Sequence, residues 1–178
     1  MPGVFTFFKD DSSKDVRVFR HELDREPLAS SGASPEYKAV FSRRGVDLRR
    51  YDAAVEHELI VGHYEGLLRR TVVATAGSES VKIKRCSLFS DGWEFVYMCN
   101  TLRWRVVHLS KEWALYDGGD NVVARFNRAS FWTGKRGVLR ILVDADRILQ
   151  ALIVLSCEIV NRTVESSEVS GAAVGKDE

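Results

Sequence analysis

The segment RILQALIVLSCEIV, residues 147–160, is the most apolar stretch of the chain, and it decides the fold. Asp144 is suited to capping the N-terminus of a helix, and Asp146 in the first turn would complement the helix dipole. A helix from there to about Val164 would be roughly 31 Å long at a rise of about 1.5 Å per residue. The sequence therefore predicts a C-terminal helix over residues 144–164.

This predicted helix has no broad polar face. At about 100° per residue, its apolar side chains cover well over half of the circumference, and the remaining side is only a narrow seam of Gln150, Val154 and Glu158. A helix docked on a sheet has a polar back, and a membrane span needs about 20 mostly apolar residues without buried charge. We therefore expect no transmembrane span and a helix that lies inside the protein.

The rest of the chain alternates between short apolar runs and turn signals. In VKIKRC (81–86) and LRWRV (102–106), apolar and charged residues alternate, as in strands of an antiparallel sheet with one face in water. DGGDN (117–121) and TGKRG (133–137) have the Gly and Asp content of tight hairpins. The strand-like runs are residues 4–8, 16–19, 36–42, 46–52, 57–66, 71–76, 80–89, 93–99, 102–109, 113–117, 121–126 and 138–144.

A sheet of about ten to twelve such strands could close on itself, which would remove its edges and enclose the helix. We predict a mainly β protein, a closed antiparallel barrel of about twelve strands around a buried, hydrophobic C-terminal helix. The length of 178 residues suits a single domain, which we place at residues 1–164. Residues 165–178, ESSEVSGAAVGKDE, lack bulky apolar side chains, and we expect them to be a disordered tail.

Basic residues are concentrated in the middle of the chain. Residues 38–140 contain 18 Lys and Arg against 11 Asp and Glu, although the net charge of the whole chain is only +1. These residues are either the solvated faces of ordinary strands or a patch for an anionic phospholipid or another anion. The candidate contacts for such an anion are Arg43, Arg44, Arg69, Arg70, Lys82, Lys84, Lys135 and Arg136.

Glu158 is the least ordinary residue of the predicted helix. If it lies deep in the barrel, it must be protonated or paired, for example with an arginine. If it lies near the barrel mouth, it can reach water instead. A third interpretation is that Gln150 and Glu158 form a polar seam that lines a ligand cavity.

Familiar catalytic and metal-binding patterns are missing from the sequence. His57 and His63 of HELIVGH would share one face of a strand but lie about 20 Å apart, too far for one ion. There is no GxSxG, GxGxxG or Walker A motif, so we expect no cofactor and no enzymatic activity. Trp104 would face away from its neighbouring arginines, so we expect no nucleic-acid partner. Three cysteines without CxxC spacing favour a reducing, cytoplasmic location.

The C-terminal half resembles a known group of proteins. The run RCSLFSDGWEFVY…TLRWRVVHLSKEWALYDGGDNVVARF, followed by GVLRILVDADRILQALIVLSCEIVNR, is similar to a fungal family of uncharacterised function in the tubby C-terminal-like superfamily. That superfamily includes the LURP-one-related and scramblase-like proteins. The resemblance spans roughly residues 4–164 and implies a closed barrel of about twelve strands around a central helix.

The sequence departs from that family at several features, among them the long loop 27–35 and the segment 42–58, which match it only weakly. The glycine-bearing turn before the tryptophan strand is replaced by MCNTLRW (98–104), in which Asn100 is the only residue typical of turns. The lysine and arginine constellation with which tubby proteins hold a phosphoinositide is not identifiable. Phosphoinositide binding is therefore not assigned to any residue.

Two functional hypotheses follow. The first is a non-enzymatic intracellular binding domain that engages an anionic membrane lipid or a protein partner through the basic middle of the chain. The alternative is a small-molecule or lipid carrier, or an enzyme, that uses a pocket at the barrel mouth. A cavity of at least ~300 Å³ with converging polar groups would support the alternative.

Overall fold

The computed structural model describes residues 2–10, 13–23, 34–52, 55–66, 70–87, 92–106, 111–129 and 134–166, and residues 167–174 as backbone. Within these ranges the chain forms twelve strands followed by one helix. In chain order they are β1 (Gly3–Lys9), β2 (Val16–Arg20), β3 (Tyr37–Phe41), β4 (Gly45–Asp52), β5 (Val55–Glu65), β6 (Thr71–Ala76), β7 (Glu79–Arg85), β8 (Trp93–Tyr97), β9 (Asn100–Val106), β10 (Glu112–Tyr116), β11 (Val122–Arg128), β12 (Lys135–Ile141) and α1 (Arg147–Val174).

The twelve strands close into a barrel in which each strand pairs antiparallel with its neighbours along the chain. The first strand closes the ring, because Phe5 of β1 lies opposite Arg20 of β2 on one side and Leu139 of β12 on the other. Each strand overlaps one of the apolar runs identified in the sequence, although β12 begins and ends three residues before the predicted run 138–144. The predicted closed antiparallel barrel is therefore confirmed.

The middle of α1 is buried on every side. All residues from Ala151 to Asn161 are at most 5% exposed, and this run covers three helical turns. No face of this segment therefore meets water, which is the condition that its nearly continuous apolar surface requires. The predicted burial of the helix is confirmed.

Hydrogen bonds to opposite walls place this segment in the interior of the barrel. Trp104 Nε1 on β9 donates to Ser156 Oγ at 2.9 Å, and Gln150 Nε2 donates to the hydroxyl of Tyr37 on β3 at 2.7 Å. In the ring of twelve strands, β3 and β9 are six positions apart, which puts them on opposite sides. A helix that contacts both must run between them.

The two ends of the helix differ from the sequence-based prediction. The cap is Asp146 rather than Asp144, since Asp146 Oδ1 accepts hydrogen bonds from the backbone N–H groups of Ile148 and Leu149 at 2.8 and 2.9 Å. The helix continues to Val174, ten residues beyond the predicted boundary, so a disordered tail beginning at residue 165 is wrong for residues 165–174. Elongating an existing helix costs little, and Glu165 is held by Arg136 at 2.7 Å. Residues 175–178 lie outside the described residues.

The hairpin between β8 and β9 is built from unusual residues. Tyr97 pairs with Asn100, so the two-residue loop is Met98–Cys99, with φ of 46° and 63°. Asn100, the residue expected to form the turn, instead begins β9. A two-residue loop with both residues at positive φ normally uses Asn-Gly, because Asn and Gly tolerate the left-handed region and most other side chains are strained there.

Replacing this loop is expected to stabilise the protein. The double change Met98→Asn with Cys99→Gly should raise the free energy of unfolding by about 1–2 kcal/mol, because it relieves two strained residues that are exposed and lose no packing. Urea titration of both proteins measures the change. The pair Met98→Ala with Cys99→Ala is the control, since it keeps the strain. Equal stabilities of the two double variants would contradict the prediction.

Candidate functional site

Because neighbouring strands run in opposite directions, successive connections between strands lie at alternate ends of the barrel. We call the end where α1 begins the N end and the end where α1 emerges the C end. The Tyr97 hydroxyl, at the end of β8, donates to Asp146 Oδ2 at 3.1 Å, which places the start of the helix at the N end. Arg136, at the start of β12, binds Glu165 at 2.7 Å at the C end.

The described connections differ in charge between the two ends. At the N end they contain no Lys or Arg, and their acidic residues are Glu22, Glu36, Asp117, Asp120, Asp144 and Asp146. At the C end the described connections contain two acidic residues, Asp10 and Asp15, and five basic residues, Lys14, Arg43, Arg44, Arg70 and Lys111. Among the described connections, charge is therefore separated along the barrel axis, which the sequence order does not reveal.

The C end also collects most of the candidate anion contacts predicted from the sequence. Arg43 and Arg44 form the connection between β3 and β4, and Arg70 immediately precedes β6. The other predicted residues at this end are Lys84, near the end of β7, and Lys135 and Arg136, which begin β12. Lys82 precedes Lys84 by two residues on β7 and lies further from the C end, and Arg69 lies outside the described residues.

Not all of these candidates offer a free charge. Lys82 and Lys84 are paired with Glu65 at 3.1 Å and Glu94 at 3.4 Å, and the Arg136 side chain is only 8% exposed. In the described part of the chain, by contrast, no ion pair involves the four remaining candidates. These are Arg43, Arg44, Arg70 and Lys135, and they are the cationic groups that a partner could reach.

The turn that presents Arg43 and Arg44 is tightly held. Ser42 Oγ accepts hydrogen bonds from the backbone N–H groups of Arg44 at 3.2 Å and Gly45 at 3.0 Å. A Cβ at Gly45 would lie 1.8 Å from the carbonyl oxygen of Gly62 on β5, so only glycine permits this close approach. The two arginines are therefore exposed at the tip of a turn with a defined conformation.

Basic residues on the outer wall are neutralised by neighbours. Side-chain pairs join Arg49 to Glu56, Arg103 to Glu94, Arg105 to Asp120, Arg125 to Glu112 and Arg140 to Glu22. Exposed pairs of this kind add little stability, but they cancel charge locally. The basic residues of the outer wall therefore fit the interpretation as solvated faces of ordinary strands. The C end differs, because some of its cations form no ion pair with any described residue.

A buried ionic cluster closes the C end around the helix. Glu158 is 1% exposed and binds Arg162 Nε at 3.0 Å and Arg136 Nη2 at 3.3 Å. Burial raises the pKa of Glu158, and the two arginines oppose that rise. Its Oε2 has no hydrogen-bond partner within the described ranges. Glu158 therefore does not reach water at the barrel mouth; it is paired inside the barrel, because arginines from β12 and from the next helical turn meet it there.

The two arginines also contact the surrounding strands and turns. Arg136 donates from Nε and Nη2 to the Asn161 side-chain oxygen, each at 2.9 Å, when the amide oxygen faces the guanidinium. The Arg162 guanidinium lies 3.3 Å from the centre of the Phe41 ring and donates to the carbonyl oxygen of Lys14. These contacts join α1 to three separate parts of the barrel rim. We call this cluster of Glu158, Arg136, Arg162 and Asn161 the ionic plug.

Gln150, the other member of the predicted seam, is also satisfied by the protein. It is 9% exposed and donates to the Tyr37 hydroxyl, and burial raises the pKa of Tyr37. Val154, between Gln150 and Glu158, is fully buried in the hydrophobic core. The seam is thus two separate polar contacts joined by an apolar residue, and its role in lining a ligand cavity stays a prediction.

A pocket of about 550 Å³ lies at the N end, where β2 ends, β3 begins and β4 ends. It combines apolar and ionisable side chains. Its lining residues are Phe19, Arg20, His21, Leu23, Ser34, Pro35, Glu36, Arg50 and Tyr51. Sequence reasoning did not single out these residues as a site, although the adjacent Arg49-Arg50 pair was a visible signal of charge at this position.

The remaining chemical patterns can be placed in the fold. HELIVGH lies on β5, where His57 is opposite Arg50 and His63 is opposite Gly45. Across the described ranges, no cluster of three His, Cys, Asp or Glu side chains has the geometry to hold a metal ion. Cys157 is fully buried, and burial raises its thiol pKa far above the ordinary value. In the same ranges no helix has the length and apolar character needed to cross a membrane.

With this geometry established, the chain can be compared with known proteins. Searches against protein-family models, curated proteins and solved structures find no match to it.

Proposed function

We propose that the domain is a non-enzymatic binding module that docks onto anionic membrane surfaces through the C end of its barrel. The observation that carries the proposal is a set of C-end cationic side chains that form no ion pair with any described residue, among them Arg43, Arg44, Arg70 and Lys135. Their position contrasts with the outer wall, where basic residues have acidic partners.

The expected attraction is strong enough for reversible binding of a peripheral protein to a membrane. A Lys or Arg near an anionic membrane contributes about 1 kcal/mol, so four would contribute roughly 4 kcal/mol, or about a thousandfold in partitioning. Because the unpaired cations lie at the C end, this end of the barrel would face the membrane. The attraction acts through solvent and should weaken steeply with salt.

The fold also supports the kinship inferred from the sequence. A twelve-strand barrel with an internal helix is the architecture that the resemblance to the tubby C-terminal-like superfamily implies. Membership of that superfamily and of its fungal family stays a prediction, as does an intracellular location.

Vesicle binding tests the proposal. The triple variant Arg43→Gln, Arg44→Gln, Lys135→Gln should bind vesicles containing phosphatidylserine about 100-fold more weakly than the unmodified protein, because it removes three unpaired cations, each worth about 1 kcal/mol. Co-sedimentation at low and at physiological salt measures this, with phosphatidylcholine vesicles as the uncharged reference.

The matched control removes the same charge from the wall. Arg103→Gln, Arg105→Gln, Arg125→Gln also lowers the net charge by three, but these arginines are paired with Glu94, Asp120 and Glu112. It should bind vesicles nearly as the unmodified protein does. Equal losses in both triple variants would mean that net charge alone drives binding, and no vesicle association at low salt would remove the membrane proposal altogether.

A further inference from the structure

We infer that the pocket at the N end binds a small organic anion, a carboxylate or phosphate attached to an apolar body. Its volume of about 550 Å³ falls within the range of small-molecule sites, roughly 300–1,000 Å³. It lies at the opposite end of the barrel from the proposed membrane-docking end, so the two proposals stand or fall separately.

The apolar part of the ligand is indicated by the lining. Phe19, Leu23, Pro35 and the ring of Tyr51 surround the pocket together with the charged groups. A site of mixed character, with a few polar groups among apolar side chains, orients a ligand by its polar atoms and gains affinity from its apolar surface. An inorganic ion would leave this apolar surface unused.

The anionic part is indicated by Arg50. Its side chain is 24% exposed, and it is one of the two arginines that line the pocket. The Arg50 Nη2 lies 3.2 Å from Asp52, which is 47% exposed, so its charge is only partly compensated. A planar guanidinium fork matches the oxygens of carboxylate and phosphate groups.

The second arginine of the pocket has a different role. Arg20 donates to Glu36 at 2.5 and 2.8 Å through Nε and Nη2, so its charge is matched by a carboxylate that also lines the pocket. This hydrogen bond raises the pKa of Arg20. The pair therefore forms a fixed polar edge and leaves Arg50 as the group that meets the anion.

His21 is held at the pocket edge in a strained conformation. Its φ is 87°, in the region that residues with side chains rarely adopt. The strand around it enforces this conformation, because its N–H donates to the Val4 carbonyl at 2.7 Å and its own carbonyl accepts from Thr6 Oγ1 at 2.7 Å. Strained residues that the surroundings hold in place are concentrated at ligand sites. His21 therefore has a fixed backbone at the pocket edge, and it lines the same pocket as Arg50.

The test uses probes that separate the two parts of the ligand. Phenyl phosphate and benzoate carry an anion on a ring, inorganic phosphate carries only the anion, and benzyl alcohol carries only the ring. Isothermal titration and NMR titration of the full chain should show saturable binding of one of the two aromatic anions, at least tenfold tighter than inorganic phosphate or benzyl alcohol. Whichever of phenyl phosphate and benzoate binds more tightly shows whether the pocket recognises a phosphate or a carboxylate.

The variant Arg50→Gln should weaken binding of the better aromatic anion at least tenfold. Arg49→Gln is the matched control, since Arg49 is the next residue on β4, is paired with Glu56 and does not line the pocket. If Arg50→Gln does not fold, Arg50→Lys keeps the charge without the planar fork and should still bind more weakly than Arg49→Gln. Equal binding by the Arg49 and Arg50 variants, binding of inorganic phosphate as tight as that of the aromatic anions, or no saturable binding up to about 10 mM of any probe overturns the inference.

Discussion

The variant Arg136→Leu is expected to lower the free energy of unfolding by about 3–5 kcal/mol near pH 7. Arg136 and Glu158 are 8% and 1% exposed, and removing one member of a buried pair leaves the other charge poorly compensated. Arg162 would remain beside Glu158, but Arg136 also donates to Asn161 and Glu165, so the change empties the centre of the plug. Urea unfolding followed by tryptophan fluorescence measures the loss.

The pH dependence of this variant follows from the direction of the pKa shift. Burial raises the pKa of Glu158 above its unfolded value, so between the two values the folded protein binds more protons than the unfolded chain. Stability from this group is therefore fully present at low pH and falls as pH rises through that interval. Losing Arg136 raises the pKa further, so the penalty of Arg136→Leu should be smaller near pH 5 than near pH 7.

Two controls separate the buried pair from general effects. Arg140→Leu changes a residue of the same strand whose side chain is 36% exposed and pairs with Glu22, and it should cost less than about 1 kcal/mol. The double variant Arg136→Leu with Glu158→Leu should recover much of the lost stability, because an apolar pair replaces the ionic one. A loss in Arg136→Leu no larger than that in Arg140→Leu, at every pH, is incompatible with a buried ionic plug.

The second large effect is expected at Val154, where Val154→Asp should prevent folding. Val154 is fully buried in the core and lies between Gln150 and Glu158 on the narrow polar seam of the helix. A helix on the outside of a sheet would accept a charge on that seam. Inside the barrel, an unpaired carboxylate costs several kcal/mol. The free energy of unfolding of a native protein is only about 5–15 kcal/mol, so this cost can be comparable to the whole stability of the domain.

Soluble yield, circular dichroism and size-exclusion chromatography show whether the Val154→Asp protein folds. Ser166→Asp is the control, since it places the same charge on the same helix at an exposed position, and it should fold normally. A folded Val154→Asp protein with unchanged thermal stability would show that the helix is not enclosed.

Local patterns were sufficient for the architecture. Alternation in runs such as VKIKRC marked strands with one wet face, and the apolar circumference of residues 147–160 left the helix no place except an interior. Both signals depend only on neighbouring residues, which is why they could be read without coordinates. The helix ends were less predictable, because the choice of Asp146 over Asp144 as the cap depends on how the chain leaves β12.

Charge positions could be inferred only in part. The sequence marked Arg43, Arg44 and Lys135 as basic candidates, but it did not show that they share one barrel end, because residues about 90 positions apart meet there only through strand direction. It also marked Lys82 and Lys84, which the register of β7 places beside acidic partners. Paired and unpaired cations look the same in a sequence.

By itself, then, the sequence determined a closed β barrel around an apolar helix, since the period of side chains along strands and helices is set by local backbone geometry. The tertiary structure alone decided that Glu158 meets Arg136 and Arg162, that free cations gather at the C end, and that Arg50 and His21 border a pocket at the N end. These contacts join residues from distant parts of the chain. They depend on strand register and closure, which act over distances that no local pattern encodes.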